Sequence, residues 1–169
     1  MKVFFIADTH FGDGNIIVYE NRPFGNTEEM DRVIMENWNN TVSENDKVFL
    51  VGDFSFHDTE RTSEICHSLN GEKFLVMGNH DTESEDYYYK CGFSGVSRYP
   101  IIYDNFWFVS HEPLYINRSM PYADIFGHVH GNPIYSDVSE RSFCVSVERI
   151  NYTPVELSEI KRRILQKGV

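Results

Sequence analysis

Aspartate, histidine and asparagine fall at the ends of apolar runs in this sequence, in combinations that suit metal chemistry. Lys2–Ala7 leads into Asp8-Thr9-His10, and Lys47–Val51 into Gly52-Asp53. Glu72–Met77 leads into Gly78-Asn79-His80-Asp81, Phe106–Val109 into Ser110-His111, and Ile125-Phe126 into Gly127-His128-Val129-His130. If each run is a strand, the polar groups lie at strand carboxyl ends, where open α/β sheets place their ligand sites. Side chains two apart on an extended segment point the same way. Asp8 with His10, and His128 with His130, are therefore each expected to aim at one point. Imidazole and carboxylate without thiolate suit Mn²⁺, Fe, Zn²⁺ or Ni²⁺ rather than an all-oxygen Ca²⁺ cage. The seven candidates Asp8, His10, Asp53, Asn79, His111, His128 and His130 are too many for one ion with an open position. They fit two ions that share a carboxylate, and Asp53, central in the order, is the natural bridge. Gly52, Gly78 and Gly127 stand where the chain must turn sharply and approach the ions closely.

Each motif alone has a plainer explanation. Gly-Asp is a common turn, Gly-Asn a common loop signal, and a lone histidine more often serves structure than a metal. Gly-His-x-His is the most specific piece, because two same-side histidines at a strand end have little structural purpose. Five such coincidences, in order and each at a strand end, favour the metal site over the plainer explanations.

The elements that must position these groups follow from apolar periodicity. Lys2–Ala7, Lys47–Val51 and Glu72–Met77 are continuous, aromatic and β-branched, as buried strands are. Between the first two, Thr27 to Val42 carries Met30, Val33, Ile34, Trp38 and Val42 at helical spacing, with Thr27 as N-cap. Thr59 to Leu69 reads as a second helix stopped by Asn70-Gly71, and Ser84 to Cys91 as a third that ends at Gly92. Tyr99–Tyr103 and Phe106–Ser110 flank Asp104-Asn105 as a β-hairpin. Ile125-Phe126 and Phe143–Val147 are further strands, and Pro154 to Gln166 a closing helix with basic residues late. The alternation predicts an α/β domain.

At 169 residues the chain reads as a single domain, 1–169. It has no apolar run of the roughly 18 residues that a membrane helix needs. The opening apolar run stops at Asp8, too short for a signal peptide. Cys66, Cys91 and Cys144 are widely spaced and odd in number, which offers no disulfide framework and points to a reducing cytoplasm. The net charge of −11 opposes an extended polyanion such as duplex DNA. Two divalent cations would reverse that sign locally. A small phosphoester therefore remains an expected partner, and nucleic acid only as a short or terminal substrate. His57 and His67 read as surface residues, Cys66 and Cys144 as core, and Tyr87-Tyr88-Tyr89 as packing. Arg98 and Arg118 lie in loops on either side of His111.

Asp8-x-His10, Gly52-Asp53, Gly78-Asn79-His80-Asp81, His111 and Gly127-His128-x-His130 resemble the five motifs of the calcineurin-like metallophosphoesterase family, in family order. The resemblance implies a sandwich of two mixed β-sheets flanked by helices. It implies a first metal on Asp8, His10, Asp53 and His130, and a second on Asp53, Asn79, His111 and His128. His80 would be no ligand but the general acid at the leaving-group oxygen, with a metal-bridging hydroxide as the nucleophile. Manganese is the first expectation for both metals, with Fe, Zn, Ni or Mg as alternatives. Asp8-Thr9-His10-Phe11-Gly12, Asn15-Ile16-Ile17 and Arg22-Pro23-Phe24 also resemble a compact bacterial and phage branch of the family. That branch has histidine where this chain has Asp13. Some family members orient the catalytic histidine with an aspartate shortly after Gly-Asp; here the stretch is Phe54-Ser55-Phe56. Arg22 is a candidate phosphate clamp, since guanidinium matches two phosphate oxygens, and Asn15 a weaker one. The expected activity is hydrolysis of a small phosphodiester or phosphomonoester at an open site. A nuclease acting on nucleic-acid ends and a non-catalytic interaction module on the same fold are the alternatives.

Overall fold

Alternate residues of the first apolar run are buried in opposite directions, and this sets the layering. In the computed structural model, which describes residues 1–135 and 139–167, Phe4 and Ile6 pack with Ile34, Trp38 and Ile65 in one core. Phe5 and Ala7 pack with Trp107, Val109, Ile125 and Phe143 in another. A strand buried on both faces needs apolar residues throughout, so the run is continuous rather than alternating.

The chain runs β1 (Val3–Ile6), α1 (Gly14–Tyr19), α2 (Thr27–Thr41), β2 (Lys47–Leu50), α3 (Thr59–Ser68), β3 (Glu72–Val76), α4 (Glu85–Cys91) and β4 (Gly95–Ser97). It continues through β5 (Ile101–Tyr103), β6 (Trp107–Ser110), β7 (Ala123–Phe126), β8 (Ser142–Cys144), β9 (Val155–Glu156) and α5 (Leu157–Lys167). One sheet has the order β4-β3-β2-β1-β9 and the other β5-β6-β7-β8. Both are mixed: β9 runs antiparallel to β1, and β5 antiparallel to β6. The fold is thus an α/β sandwich of two mixed sheets flanked by helices, as the motif resemblance implied.

Register brings the loops to one edge. Ile6 pairs with Leu50, and Leu50 with Leu75, so β1, β2 and β3 end level with one another. In the second sheet Ser110 pairs with Phe126, and Phe126 with Cys144. Ala7 N–H donates to Val145 O at 2.8 Å, and Val147 N–H to Ala7 O at 3.1 Å. The carboxyl edges of the two sheets are thereby joined beside Asp8.

Several local expectations are corrected. The N-cap of α2 is Asn26, whose side chain accepts from Glu29 N–H, and Thr27 is the first helical residue. Helix α1 is too short for apolar periodicity to show; it is started by Asp13, whose side chain accepts from Asn15 N–H. The strand expected over Phe143–Val147 ends at Cys144, and Val147 opens a 3₁₀ turn. His57 is not a free surface residue: its Nε2 lies 2.7 Å from Asp31 Oδ2. Cys66, Cys91 and Cys144 are buried free thiols. Among the described residues no helix is long and apolar enough to cross a membrane.

Asp124, fully buried on β7, accepts from Leu114 N–H at 2.8 Å and from the Ser110 hydroxyl at 3.0 Å, so it anchors the loop after β6. Burial pushes its carboxyl up to about 7 against the lowering effect of those two bonds. Between about pH 4 and 7 the folded protein therefore keeps a proton that the unfolded chain has released. This group's contribution to stability is complete below about pH 4 and is lost as pH rises toward 7, with a slope of up to about 1.4 kcal/mol per pH unit. Urea unfolding should show Asp124→Asn gaining on the wild type from pH 5 to pH 7, since asparagine does not titrate. A stability difference that stays constant with pH would reject this.

Candidate metal centre

The residues at the strand ends leave regular structure at once. Asp8 (φ 59°), His10 (φ 49°), Asp53 (φ 56°), His128 (φ 68°) and His130 (φ 47°) are all left-handed. Non-glycine residues seldom adopt this conformation, and where they cluster the surrounding fold must hold them. The convergence of Asp8 with His10, and of His128 with His130, therefore arises from paired left-handed kinks. The extended pleat expected from sequence is absent there. The close approach also needs glycine. A Cβ on Gly78 would sit 2.2 Å from Asp53 Oδ1, and one on Gly52 2.2 Å from His111 Nδ1.

All seven candidate ligands come together. One group comprises Asp8, His10 and His130, and another Asp8, Asp53 and His111, each with ligand atoms within 4.8 Å of one another. Asp53 Oδ2 lies 3.5 Å from His10 Nε2 and 3.3 Å from His111 Nε2, between the two sets. Asn79 Oδ1 is 2.9 Å from both His111 Nε2 and His128 Nδ1. Those two ring nitrogens are 3.1 Å apart. His111 Nδ1 faces the Val51 carbonyl at 2.9 Å, which fixes the ring and leaves Nε2 for the centre.

The charge balance of the cluster is that of a cation site. Burial opposes ionisation of Asp53, but His10, His111 and the His80 N–H hold its carboxyl far below the usual range. Burial pushes His111 down, yet Asp53 and Asp8 outweigh it and raise the imidazole to about 9. Asp8 is raised by its complete burial, against the pull of His130 and His111. His10 is 1% exposed, and neither of its ring nitrogens has a hydrogen-bond partner among the described residues. The nearest carboxylates, Asp13 Oδ2 at 3.4 Å and Asp53 Oδ2 at 3.5 Å, stand off those nitrogens, and divalent cations would satisfy both kinds of donor, so the residues present fit the two-metal centre.

His80 sits at the rim and is exposed. Its N–H donates to Asp53 Oδ1 at 2.9 Å, and its ring packs beside His10 and Phe56. Asp81, the last residue of the same motif, is buried and ties two loops together. Its Oδ2 accepts from Asp53 N–H (2.7 Å) and Gly78 N–H (2.8 Å), and its Oδ1 from Phe54 N–H (3.1 Å).

Arg22 is placed otherwise than the phosphate-clamp reading requires. Its side chain is completely buried beside Glu148. Nη2 donates to Asp8 O at 2.7 Å and Nη1 to Thr9 O at 3.0 Å, while Nε donates to Glu148 Oε1 at 2.9 Å. Its donors are engaged in holding the first ligand loop, and none is turned toward a substrate. Asn15 is exposed on α1, where its N–H donates to Asp13 Oδ1 at 2.9 Å. Arg98, in contrast, lines a cavity of about 240 Å³ together with Asn79 and His111. Arg118 pairs with Glu140. A larger cavity of about 740 Å³ near His57 is lined by none of the candidate ligands.

Glu148 is the residue that the sequence did not reveal. Its Oε1 lies 3.1 Å from His130 Nδ1, so Arg22, Glu148 and His130 form a largely buried chain that occupies one nitrogen of His130 and leaves the other for the centre. Nothing in the sequence marks Glu148, which is 126 positions from Arg22. Outer partners of this kind typically set metal affinity by 10–100-fold. Glu148→Gln should therefore weaken binding of one metal equivalent by about 10–100-fold in isothermal titration. Unchanged affinity for both equivalents would remove Glu148 from this role.

A two-sheet α/β sandwich that gathers carboxylate, imidazole and amide groups at its joined carboxyl edges has the architecture of a metal-dependent phosphoester hydrolase. The family model for calcineurin-like phosphoesterases matches residues 1–164, and the chain belongs to that family. Uncharacterized protein MJ1445 of Methanocaldococcus jannaschii is 34% identical, in a match covering 99% of this chain and 93% of the relative. The crystal structure of AQ665 from Aquifex aeolicus, a protein of unknown function, has a TM-score of 0.76 at 24% identity. That match covers 95% of this chain and 98% of AQ665 and shows a shared fold. Pseudomonas putida nuclease MPE has a TM-score of 0.45 at 22% identity, over 76% of this chain and 61% of its own.

Proposed function

We propose that this protein hydrolyses a small phosphodiester or phosphomonoester, nucleotide-type substrates included, with His80 as general acid. The observation that carries this reading is the buried His10 imidazole, neither nitrogen within hydrogen-bond geometry of a partner among the described residues, beside an Asp53 carboxylate that stands between two ligand sets. Asp8, His10, Asp53 and His130 would hold one divalent cation; Asp53, Asn79, His111 and His128 would hold the other. When bound, the pair supplies Lewis-acid charge to phosphate oxygens and lowers the pKa of water toward neutrality. Manganese is the ion we expect first, with Fe, Zn, Ni or Mg as alternatives, since mixed imidazole and carboxylate donors accept several ions. The chain's own part is to hold these donors in place and to present a proton. His80 is suited to the second task because it is exposed, lies outside the ligand sets, and is anchored through its backbone to Asp53. Protonation of the departing oxygen by its imidazolium avoids expulsion of an alkoxide. The exposure of Asn79 and His80 supports an open site that admits diesters.

The test is hydrolysis of bis-p-nitrophenyl phosphate and p-nitrophenyl phosphate by chelator-stripped protein, with Mn²⁺, Ni²⁺, Zn²⁺ or Mg²⁺ restored. Turnover that returns with metal, most strongly with Mn²⁺, is the expected result, and the faster compound names the substrate class. Absence of turnover with every metal, in protein shown to bind two ions, would overturn the reading.

A further inference from the structure

The group beside His80 that the metal site leaves unexplained is Phe56. The residue is 47% exposed, and its ring lies nearly parallel to the His10 imidazole, with centroids 5.3 Å apart and planes 15° from each other. The same ring is 5.3 Å from His80, tilted by 49°. Isolated exposed aromatics are ordinary on protein surfaces, but this one is rigidly mounted. Phe56 N–H donates to Phe11 O at 2.8 Å, and Ser55 forms a β-bridge with Phe11. On the other side, His57 N–H donates to the Ser55 hydroxyl at 3.2 Å, and that hydroxyl lies 2.9 Å from Thr62 Oγ1. The backbone around the ring is thus pinned on both sides.

The ring stacks on His10 and neighbours His80, and the residue still leaves about half of its surface to solvent. We infer that Phe56 is a stacking platform for a flat aromatic leaving group, the base of a nucleoside or an aryl ring. The inference rests on the proposed function, since it takes His80 to mark the leaving-group side. A leaving oxygen within reach of His80 carries its substituent over the neighbouring ring. An aromatic substituent gains there by stacking, typically about 10–100-fold per base; an aliphatic one gains little. Stacking is also indifferent to the chain's negative charge, which argues against extended polyanions and not against a single nucleoside.

The experiment compares kcat/KM of the Mn²⁺-loaded protein for three diesters: a dinucleoside monophosphate, bis-p-nitrophenyl phosphate, and glycerophosphoethanolamine, whose leaving groups are aliphatic. Intrinsic leaving-group reactivity cancels when each preference is compared between wild type, Phe56→Leu and Phe56→Trp. In Phe56→Leu the preference for the dinucleotide over glycerophosphoethanolamine should fall about 10–100-fold, and Phe56→Trp should restore it. A loss confined to the dinucleotide identifies a nucleoside as the occupant, and one shared with the nitrophenyl diester any flat ring. Equal losses on all three diesters would overturn the inference, reducing Phe56 to a prop for His10; no loss would overturn it too. Ligand-observed NMR on the dinucleotide separates this outcome from failure of the hydrolase reading. Saturation transfer to the base protons that disappears in Phe56→Leu, with no turnover by any protein, would keep the platform and sink the hydrolase. Turnover with an unchanged preference would do the reverse.

Discussion

Replacement of His80 by asparagine leaves two metal ions bound and lowers kcat by about 10²–10⁴-fold, the range that positioned general-acid catalysis supplies. The separation of the two effects follows from where the residue stands. His80 meets the cluster through its main chain, where its N–H donates to Asp53 Oδ1, and asparagine keeps that N–H. The His80 ring is exposed and packs beside the rings of His10 and Phe56. Its removal therefore unpairs no buried donor among the described residues. The size of the loss should follow the leaving group. p-Nitrophenolate departs readily without a proton, so bis-p-nitrophenyl phosphate should show the smaller defect and a diester with an alkoxide leaving group the larger. Metal content by elemental analysis and steady-state kinetics on both substrates decide the matter. Unchanged kcat on the alkoxide substrate would remove His80 from proton transfer, and metal loss would make it a structural support.

The parts of this protein that were legible from sequence are those in which physics acts over short spans. A strand buried on both faces must be apolar throughout, so β1, β2 and β3 stood out. The helix ends at Ser84 and Gly92 follow from local chemistry, and Gly92 does adopt φ 114°, whereas the helix expected to stop at Asn70-Gly71 already ends at Ser68. The ligands were legible because polar groups that end apolar runs need a reason to be there. What stayed hidden depends on contacts distant in sequence or on backbone choices that composition does not encode. The left-handed turns at Asp8, His10, His128 and His130 lie where the two sheets join, and the residues that adopt them are not glycines. Arg22 had the right chemistry for a phosphate, yet burial beneath the first loop assigns it to Glu148 and two carbonyls. Asp13, which the sequence offered no role, also depends on the fold. It caps α1 and stands with Oδ2 3.4 Å from His10 Nδ1, a negative charge beside the ring without a hydrogen bond to it.

Asp53 should be the least replaceable residue of the centre, because in the proposed assignment it is the carboxylate that both cations share. Its Oδ2 is 3.5 Å from His10 Nε2 on one side and 3.3 Å from His111 Nε2 on the other. Loss of His130 removes a donor from one set, and loss of His128 removes one from the other. Asp53→Asn removes a full negative charge from both sets at once. The substitution is nearly isosteric, and the remaining amide oxygen can still accept the His80 N–H, so the loop between β3 and α4 has no reason to move. Asp81 also continues to hold the main chain at residue 53 through its N–H. The defect should thus appear in metal binding rather than in folding. Bound metal should drop from two ions to at most one at micromolar concentrations. Turnover should fall by more than the roughly 10–100-fold expected when only an outer partner is lost. His130→Asn provides the contrast: it should weaken one equivalent and spare the other, so the two variants differ in stoichiometry as well as in rate. If Asp53→Asn retained two ions at wild-type affinity, the carboxylate would not be shared, and the two sets would have to hold their cations independently.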